Sequence, residues 1–482
     1  MTNLAQLQAE YADCQARGLK LDLQRGKPSP EQLDLSEQLL ADPGIGHHIS
    51  EEGFDVRNYG GPDGLIELRR IVAELFNIPV AHLLALGNGS LRVMYDVMVF
   101  AMLFGVPGSD KPWISQQPVK FLCPVPGYDR HFAICEALGM EMISIPMLPD
   151  GPDVDLIAEL VATDPAIKGI WIVPTYSNPS GITVSEPVAA RLFSMPTAAP
   201  DFRIFWDDAY GLHHLVDKHV PAHPVLQLAA AGGYPDRLLF FTSTSKVTFA
   251  SAGVAFLAAS DTNLKWLRER LGVQTIGPDK VNQLRHAQYL QSAQHVRDLM
   301  HQHRDILLPK FSTMDRILRE RLAETPGIAE WVFPEGGYFI SLNVLPGTAK
   351  RVVELAAAAG LALTPAGSAF PYGDDPLDTN IRLAPSMPPL ADVEAATEVL
   401  ATCIKLAAAE YLPVVNNNKA RPEPVVEAGG TPGLETTSKE ARPLPVVVAA
   451  GTPGLETTNL LEGFGDDIRT VPDAVRVARG NQ

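Results

Sequence analysis

Cysteine is scarce in this chain: Cys14, Cys123, Cys135 and Cys403 are the only four, and none stands in Cys-x-x-Cys spacing. That pattern supports neither a disulfide framework nor a zinc site, and buried free thiols are the simpler expectation. Positive charge is also in deficit, with 39 Lys and Arg against 56 Asp and Glu and a formal net charge of −17. A nucleic-acid partner needs cations to neutralise its phosphates, so this balance argues against one, and no basic stripe compensates locally. Long apolar runs are missing too. No stretch reaches the roughly 18 residues a membrane helix needs, and the opening MTNLAQLQAEYADCQARGLK carries acids and no apolar signal core. The expectation is a cytoplasmic protein without membrane contacts.

What is present points to a large globular enzyme. At 482 residues and 46% apolar content, the chain is long enough for two packed domains with a cleft between them. Residues 2 to 18 place Leu4, Leu7, Tyr11 and Cys14 at helical spacing. From about residue 60 to 290, the apolar runs VKFLCPV, GMEMISIPM, IKGIWIVP, FRIFWDDAY and RLLFFTSTS alternate with helical patterns. Strands separated by helices imply parallel βαβ units. Asp279 to Leu322 reads as helices leading out of that sheet, WVFPEGGYFISLNV as a strand pair, RVVELAAAAGLALT as helix then strand, and LADVEAATEVLATCIKLAAAEYL as a terminal helix. The expected fold class is α/β, a large mostly parallel-sheet domain with a smaller α/β domain. Residues 1–50 form an arm and part of the smaller domain, 51–290 the large domain and 291–412 the rest of the smaller one. Residues 413–482 contain RPEPVVEAGGTPGLETT and RPLPVVVAAGTPGLETT, an imperfect repeat of period 21. Two copies cannot stack into a solenoid, and their composition suits a flexible tail.

Four segments carry candidate chemistry, each at an expected strand end or helix start. Ser243-Thr244-Ser245-Lys246 follows the apolar run RLLFF. A lysine there is costly unless its charge is used or neutralised, although alone it reads as a surface-loop residue. Asp207-Asp208-Ala209-Tyr210 ends another apolar strand, where a carboxylate can pair with a protonated ring nitrogen or merely cap a helix. Asn178 sits in the turn-rich loop Val173 to Gly181. Gly89, Ser90 and Leu91 precede and open an apolar helix, an arrangement that presents N–H groups to a phosphate or forms a plain cap. Ligands bind at such strand ends in open α/β sheets, and four such sites in order make coincidence a poor account.

These motifs, with Asn380-Ile381-Arg382-Leu383-Ala384-Pro385-Ser386, resemble fold-type I, pyridoxal-phosphate-dependent aminotransferases of class I over roughly residues 20 to 410. The segments Arg25-Gly26-Lys27-Pro28-Ser29, Pro126-Gly127-Tyr128-Asp129-Arg130-His131-Phe132 and Gly277-Pro278-Asp279-Lys280 look like a bacterial aspartate aminotransferase subgroup. The resemblance implies that Lys246 carries pyridoxal 5′-phosphate as a Schiff base and shuttles the proton, that Asp207 faces the pyridine nitrogen, and that Tyr210 and Asn178 hold the ring oxygen. It implies that Tyr128 stacks on the ring, that Gly89, Ser90, Leu91 and Ser243 surround the phosphate, and that Tyr59 reaches the phosphate of a neighbouring subunit in a homodimer. Arg382 would clamp the substrate α-carboxylate, with Gly26 and Asn178 beside it and Arg25 or Lys27 on a distal carboxylate; Arg130, Arg285 and a residue from the partner subunit are rivals for that last role. The family places an arginine after the lysine, within Gly-x-Arg, but here Gly253 is followed by Val254, so Lys280 is the candidate replacement. No metal is implied.

The implied reaction is a ping-pong transfer of the amino group of L-aspartate to 2-oxoglutarate. An aromatic or neutral amino-acid transaminase and a β-lyase are alternatives on the same scaffold. A non-catalytic sensor binding the cofactor is a third reading, disfavoured by the retention of both Lys246 and Arg382.

Overall fold

The computed structural model describes residues 4–41, 48–217 and 220–419. Within them the apolar runs form thirteen strands: β1 Leu21–Asp22, β2 Leu83–Ala85, β3 Lys120–Val125, β4 Glu141–Leu148, β5 Gly151–Pro152, β6 Ile167–Ile172, β7 Arg203–Asp207, β8 Leu238–Ser243, β9 Ala255–Ala259, β10 Ala329–Trp331, β11 Ile340–Val344, β12 Leu361–Ala362 and β13 Asn380–Leu383. Eight of them make one sheet in the order β2-β9-β8-β7-β6-β3-β4-β5. The central strands β8, β7, β6, β3 and β4 are parallel, as the alternation with helices implies. Both faces are covered, which is why these strands are apolar throughout rather than alternating. Ile204, Trp206, Leu238 and Phe240 enter one core, while Phe205, Trp171, Leu239 and Phe241 enter the other.

One strand departs from the parallel expectation. β9 runs antiparallel to both β2 and β8. A parallel return needs a crossover of about a dozen residues or more, usually helical, and residues 244–254 hold no helix. The chain therefore turns back on itself. The turn encloses Lys246.

A second core gathers the helix Leu4–Ala16, the three-stranded sheet β10-β11-β13, the helix Ala349–Ala358 and the terminal helix from Leu390. The expected boundary near 290 falls in a chain that passes through two helices without leaving the structure: in the helix Ala293–Leu322, Val296, Leu299 and Met300 pack on the large sheet whereas Leu307, Phe311 and Met314 pack in the second core. One continuous helix serves both. The terminal helix, expected to stop at Leu412, continues through Lys419, so the first residues assigned to the tail are helical. Residues 420–482, including the repeat, lie outside the described residues. The four cysteines are buried and free. Among the described residues no helix is long and apolar enough to cross a membrane.

The N-terminal segment is tied down by backbone bonds. β1 pairs with β12, Leu23 N–H donates to Ala362 O at 3.0 Å, and Ala384 N–H donates to Leu23 O at 3.0 Å. Residues 24–27 are thereby laid beside the strand that carries Arg382. The pairing needs Gly360, which has φ +83° and accepts from Leu21 N–H, and whose missing Cβ would stand 2.0 Å from Leu19 O. Any side chain there must push the arm away. Gly360→Ala is expected to cost roughly 3 kcal/mol of stability. Urea denaturation measures it, and a midpoint equal to that of the wild type would refute the steric argument.

Candidate active site

Strands β3, β6, β7 and β8 are parallel neighbours, so their carboxyl ends share one edge of the sheet, the place where open α/β sheets bind ligands. Tyr128 follows β3, Asn178 follows β6, Asp207 ends β7, and Ser243 ends β8 three residues before Lys246. A cavity of about 380 Å³ lies here, lined by Arg25, Gly26, Lys27, Tyr128, Asn178, Tyr210, Lys246 and Arg382 among others. Eight sequence-derived site residues are thus brought together. The volume suits a small ligand.

Asp207 is buried, and its Oδ2 lies 3.1 Å from His131 Nε2. His131 in turn stacks on Trp171, with centroids 4.3 Å apart and planes 8° apart. The other carboxylate oxygen, Oδ1, is buried with no hydrogen-bond partner, as is the Asn178 amide oxygen. Buried polar atoms are normally paired, and Asn178 lines the cavity, so its unpaired oxygen is open to a polar ligand there. Lys246 Nζ sits 4.7 Å from the centroid of the Tyr210 ring. Desolvation lowers the Lys246 pKa, with the negative charge of Asp207 opposing the shift. Burial raises the hydroxyl of Tyr128 to about 12 and that of Tyr210 well above its usual range. Both tyrosines stay neutral donors. Next to Asp207, Asp208 is pushed up to about 7 by burial and then by Asp207 itself, so the adjacent carboxyl carries less charge at neutral pH.

The phosphate candidates meet through β9. Ser243 is the register partner of Ala255, and Ala255 N–H donates to Gly87 O at 2.7 Å, so the Gly89-Ser90-Leu91 helix start lies one strand from Ser243. Gly89 caps the helix Ser90–Phe104 without a side-chain bond. Val254, where the family has its cation, is buried in the sheet core. Lys280 does not join this group. Its Nζ donates to Gly60 O at 2.7 Å, and it lines a separate cavity together with Tyr59. Its start-of-helix position beside the Gly60 turn, not the Lys246 edge, decides its partner. Arg285 also turns away, donating to Leu39 O, whereas Arg130 lines the Lys246 cavity.

Sequence reading assigned no role to several residues that the fold brings to the site. Asp129 pairs with Arg382, and Phe339 lies beneath the Arg382 guanidinium. His131 was visible three residues after Tyr128, on the same helical turn. Behind Lys246, His303 Nε2 donates to Val247 O at 3.0 Å, which leaves Nδ1 to accept from Gln32 Nε2 at 3.0 Å. Gln32 also donates to Tyr338 OH and accepts from Ser29 N–H, so this network is satisfied only by a neutral imidazole. His213 Nε2 lies 3.4 Å from Lys246 O. No local pattern marks any of these as partners.

Burial lowers His303 to about 4 and pulls His213 and His286 down as well. A histidine with a depressed folded pKa binds its proton more readily when unfolded. Its contribution is fully present above about pH 6.5 and is lost as pH falls towards 4. For His303 this amounts to roughly 3 kcal/mol. The unfolding free energy, measured by denaturant titration, is expected to fall through that window, and His303→Gln is expected to flatten the fall by about one proton. An unchanged slope in the variant would remove His303 from the account.

Comparison with known proteins gives the family. Residues 1–415 match the family model for aspartate amino-transferase. An aspartate aminotransferase of Corynebacterium glutamicum is 51% identical over 405 residues, 84% of this chain and 93% of the relative. The crystal structure of an aspartate transaminase from the same organism superposes with a TM-score of 0.83 at 51% identity, covering 85% of this chain and 96% of the other. An α-aminoadipate aminotransferase from Thermus thermophilus, complexed with N-(5′-phosphopyridoxyl)-L-leucine, shares the fold at 21% identity, a TM-score of 0.66 and coverage of 82% of this chain and 95% of that one. This chain belongs to the aspartate amino-transferase family.

Proposed function

We propose that this protein is an aspartate:2-oxoglutarate aminotransferase that uses pyridoxal 5′-phosphate held at Lys246. The observation that carries the reading is the desolvated Lys246 amine in one cavity with Arg382, beside the buried and unpaired Asp207 Oδ1. The donor set fits the cofactor: a carboxylate for its pyridine nitrogen, Tyr210 and Asn178 for its ring oxygen, Tyr128 for its face, and Gly89, Ser90, Leu91 and Ser243 for its phosphate. When bound, pyridoxal phosphate supplies an electron sink for the bond broken at the substrate Cα.

The chain's own residues do the rest. Burial favours the neutral Lys246 amine, so Nζ can take the Cα proton and return it. Asp207, backed by the His131 hydrogen bond, keeps a proton on the facing nitrogen. Arg382 orients the substrate through its α-carboxylate, for which a planar fork of donors is suited. Arg25 and Lys27, both exposed on the cavity wall, are assigned to the distal carboxylate, with Arg130 as the rival. An unpaired carboxylate in a closed site would cost several kcal/mol, so some such cation is required for a dicarboxylate substrate.

The reading includes a cytoplasmic homodimer with shared sites. Tyr59 is 79% exposed, and Val273 and Ile276 are exposed as well. Large exposed side chains of this kind fit a symmetric contact, and Tyr59 would reach the phosphate of the partner.

Lys246→Ala is expected to lose on the order of 10⁴ in kcat, because nucleophile and base vanish together. Mixing it with an inactive Tyr59→Phe protein should restore activity on subunit exchange, as one of the two sites in a mixed dimer then has both residues. No recovery would count against shared sites, and more than a tenth of wild-type activity in Lys246→Ala would sink the central claim.

Substrate choice is tested by kcat/KM for aspartate, alanine and phenylalanine. The wild type is expected to prefer aspartate, and Arg25→Ala or Lys27→Ala to lose that preference by roughly tenfold or more. Preference for alanine or phenylalanine in the wild type would turn the assignment to a neutral or aromatic amino-acid transaminase.

A further inference from the structure

Arg382 already has a carboxylate partner inside the protein. Its Nη1 donates to Asp129 Oδ1 at 2.9 Å, its guanidinium carbon lies 5.2 Å from the centroid of the Phe339 ring, and its Nε is buried with no partner. The fork is half used. A single-pronged contact to Asp129 leaves donors available for a carboxylate that binds with two.

We propose that Asp129 is an internal stand-in for the substrate α-carboxylate: it holds Arg382 until an amino acid or oxo acid displaces it, and so lowers the affinity of the site for carboxylates. The proposal rests on the reading that Arg382 clamps that carboxylate. Three features make Asp129 displaceable. It is the first residue of the helix Asp129–Ala137, so its charge remains stabilised by the helix N-terminus after it lets go. Its side chain is 30% exposed, against 9% for Arg382, so it can turn to water while the arginine stays in place. Arg25, Lys27 and Arg130 line the same cavity and offer it alternative partners.

A ligand with an α-carboxylate replaces a one-pronged contact with a two-pronged one and gains the difference. A bare amine cannot free Arg382 and gains nothing there. Affinity for every carboxylate is lowered by the competition, while a ligand without one leaves the Asp129–Arg382 contact intact and is unaffected by it.

The test is calorimetric titration of the cofactor-loaded protein with succinate, a dicarboxylate that has neither an amino nor an oxo group to react. Asp129→Asn and Asp129→Ala are expected to tighten succinate binding by roughly tenfold, the worth of one charge-assisted hydrogen bond, and to lower KM for the amino donor more than they change kcat. Asp129→Asn keeps the shape of the residue and carries the test if the alanine variant fails to fold. Weaker or unchanged binding in the variants overturns the proposal, because a residue that merely orients Arg382 would loosen the site when removed. Arg382→Lys separates the two layers: if it binds succinate as tightly as the wild type, the clamp reading falls and this proposal with it, whereas a large loss there combined with no gain in the Asp129 variants overturns the role of Asp129 alone.

Discussion

A lysine amine and a carboxylate held in one desolvated pocket constrain the rest of this structure. Asp207 pairs in register with Phe241, which places the β7 end beside the turn that carries Lys246. Burying both groups is unfavourable unless each is held and used. Support comes from behind, where His131 braces Asp207 and His303 braces the backbone next to Lys246. The supporting groups are satisfied: Gln32 uses both amide hydrogens and its oxygen. Asn178 Oδ1 and Arg382 Nε, on residues that line the cavity, and the buried Asp207 Oδ1 have no hydrogen-bond partner. Unpaired polar atoms beside the cavity are ones that a polar ligand would satisfy.

Charge is distributed with the same economy. The chain is strongly acidic as a whole, yet Arg25, Lys27, Arg130 and Arg382 converge on one cavity with Asp129 among them. Net charge therefore predicts the absence of a nucleic-acid surface but nothing about the site, where a local cluster of cations meets anionic ligands. The acid pair Asp207-Asp208 shows the complementary device. Burial and mutual repulsion raise Asp208, so two neighbouring carboxyls need not both be charged.

Much of the fold was legible because it is written in local patterns. The runs before Asn178, Asp207 and Lys246 are short, apolar and β-branched or aromatic, and each is followed by turn or small residues, so strand ends and the candidate residues on them could be named together. β9 was not, since its direction depends on a connection too short for a helix. The helix through Lys419 was cut short at Leu412 because the composition changes there to the Pro- and Gly-rich segment that holds the repeat.

Sequence by itself determined the α/β class, the strand ends and, as candidates, Lys246, Asp207, Asn178 and Tyr210, because motif spacing and periodicity are properties of neighbouring residues, whereas Tyr128 and Arg382 were named from the family resemblance. Only the tertiary structure decided that Asp129 meets Arg382 across 253 positions, that Gln32 and His303 join behind Val247 across 271, and that Lys280 serves Gly60 rather than the Lys246 edge. Those pairings follow from strand order and helix docking. A histidine, glutamine or aspartate in an amphipathic helix looks the same in sequence whether it faces water or a buried partner, and the choice is made by the free energy of leaving a buried donor or acceptor unpaired.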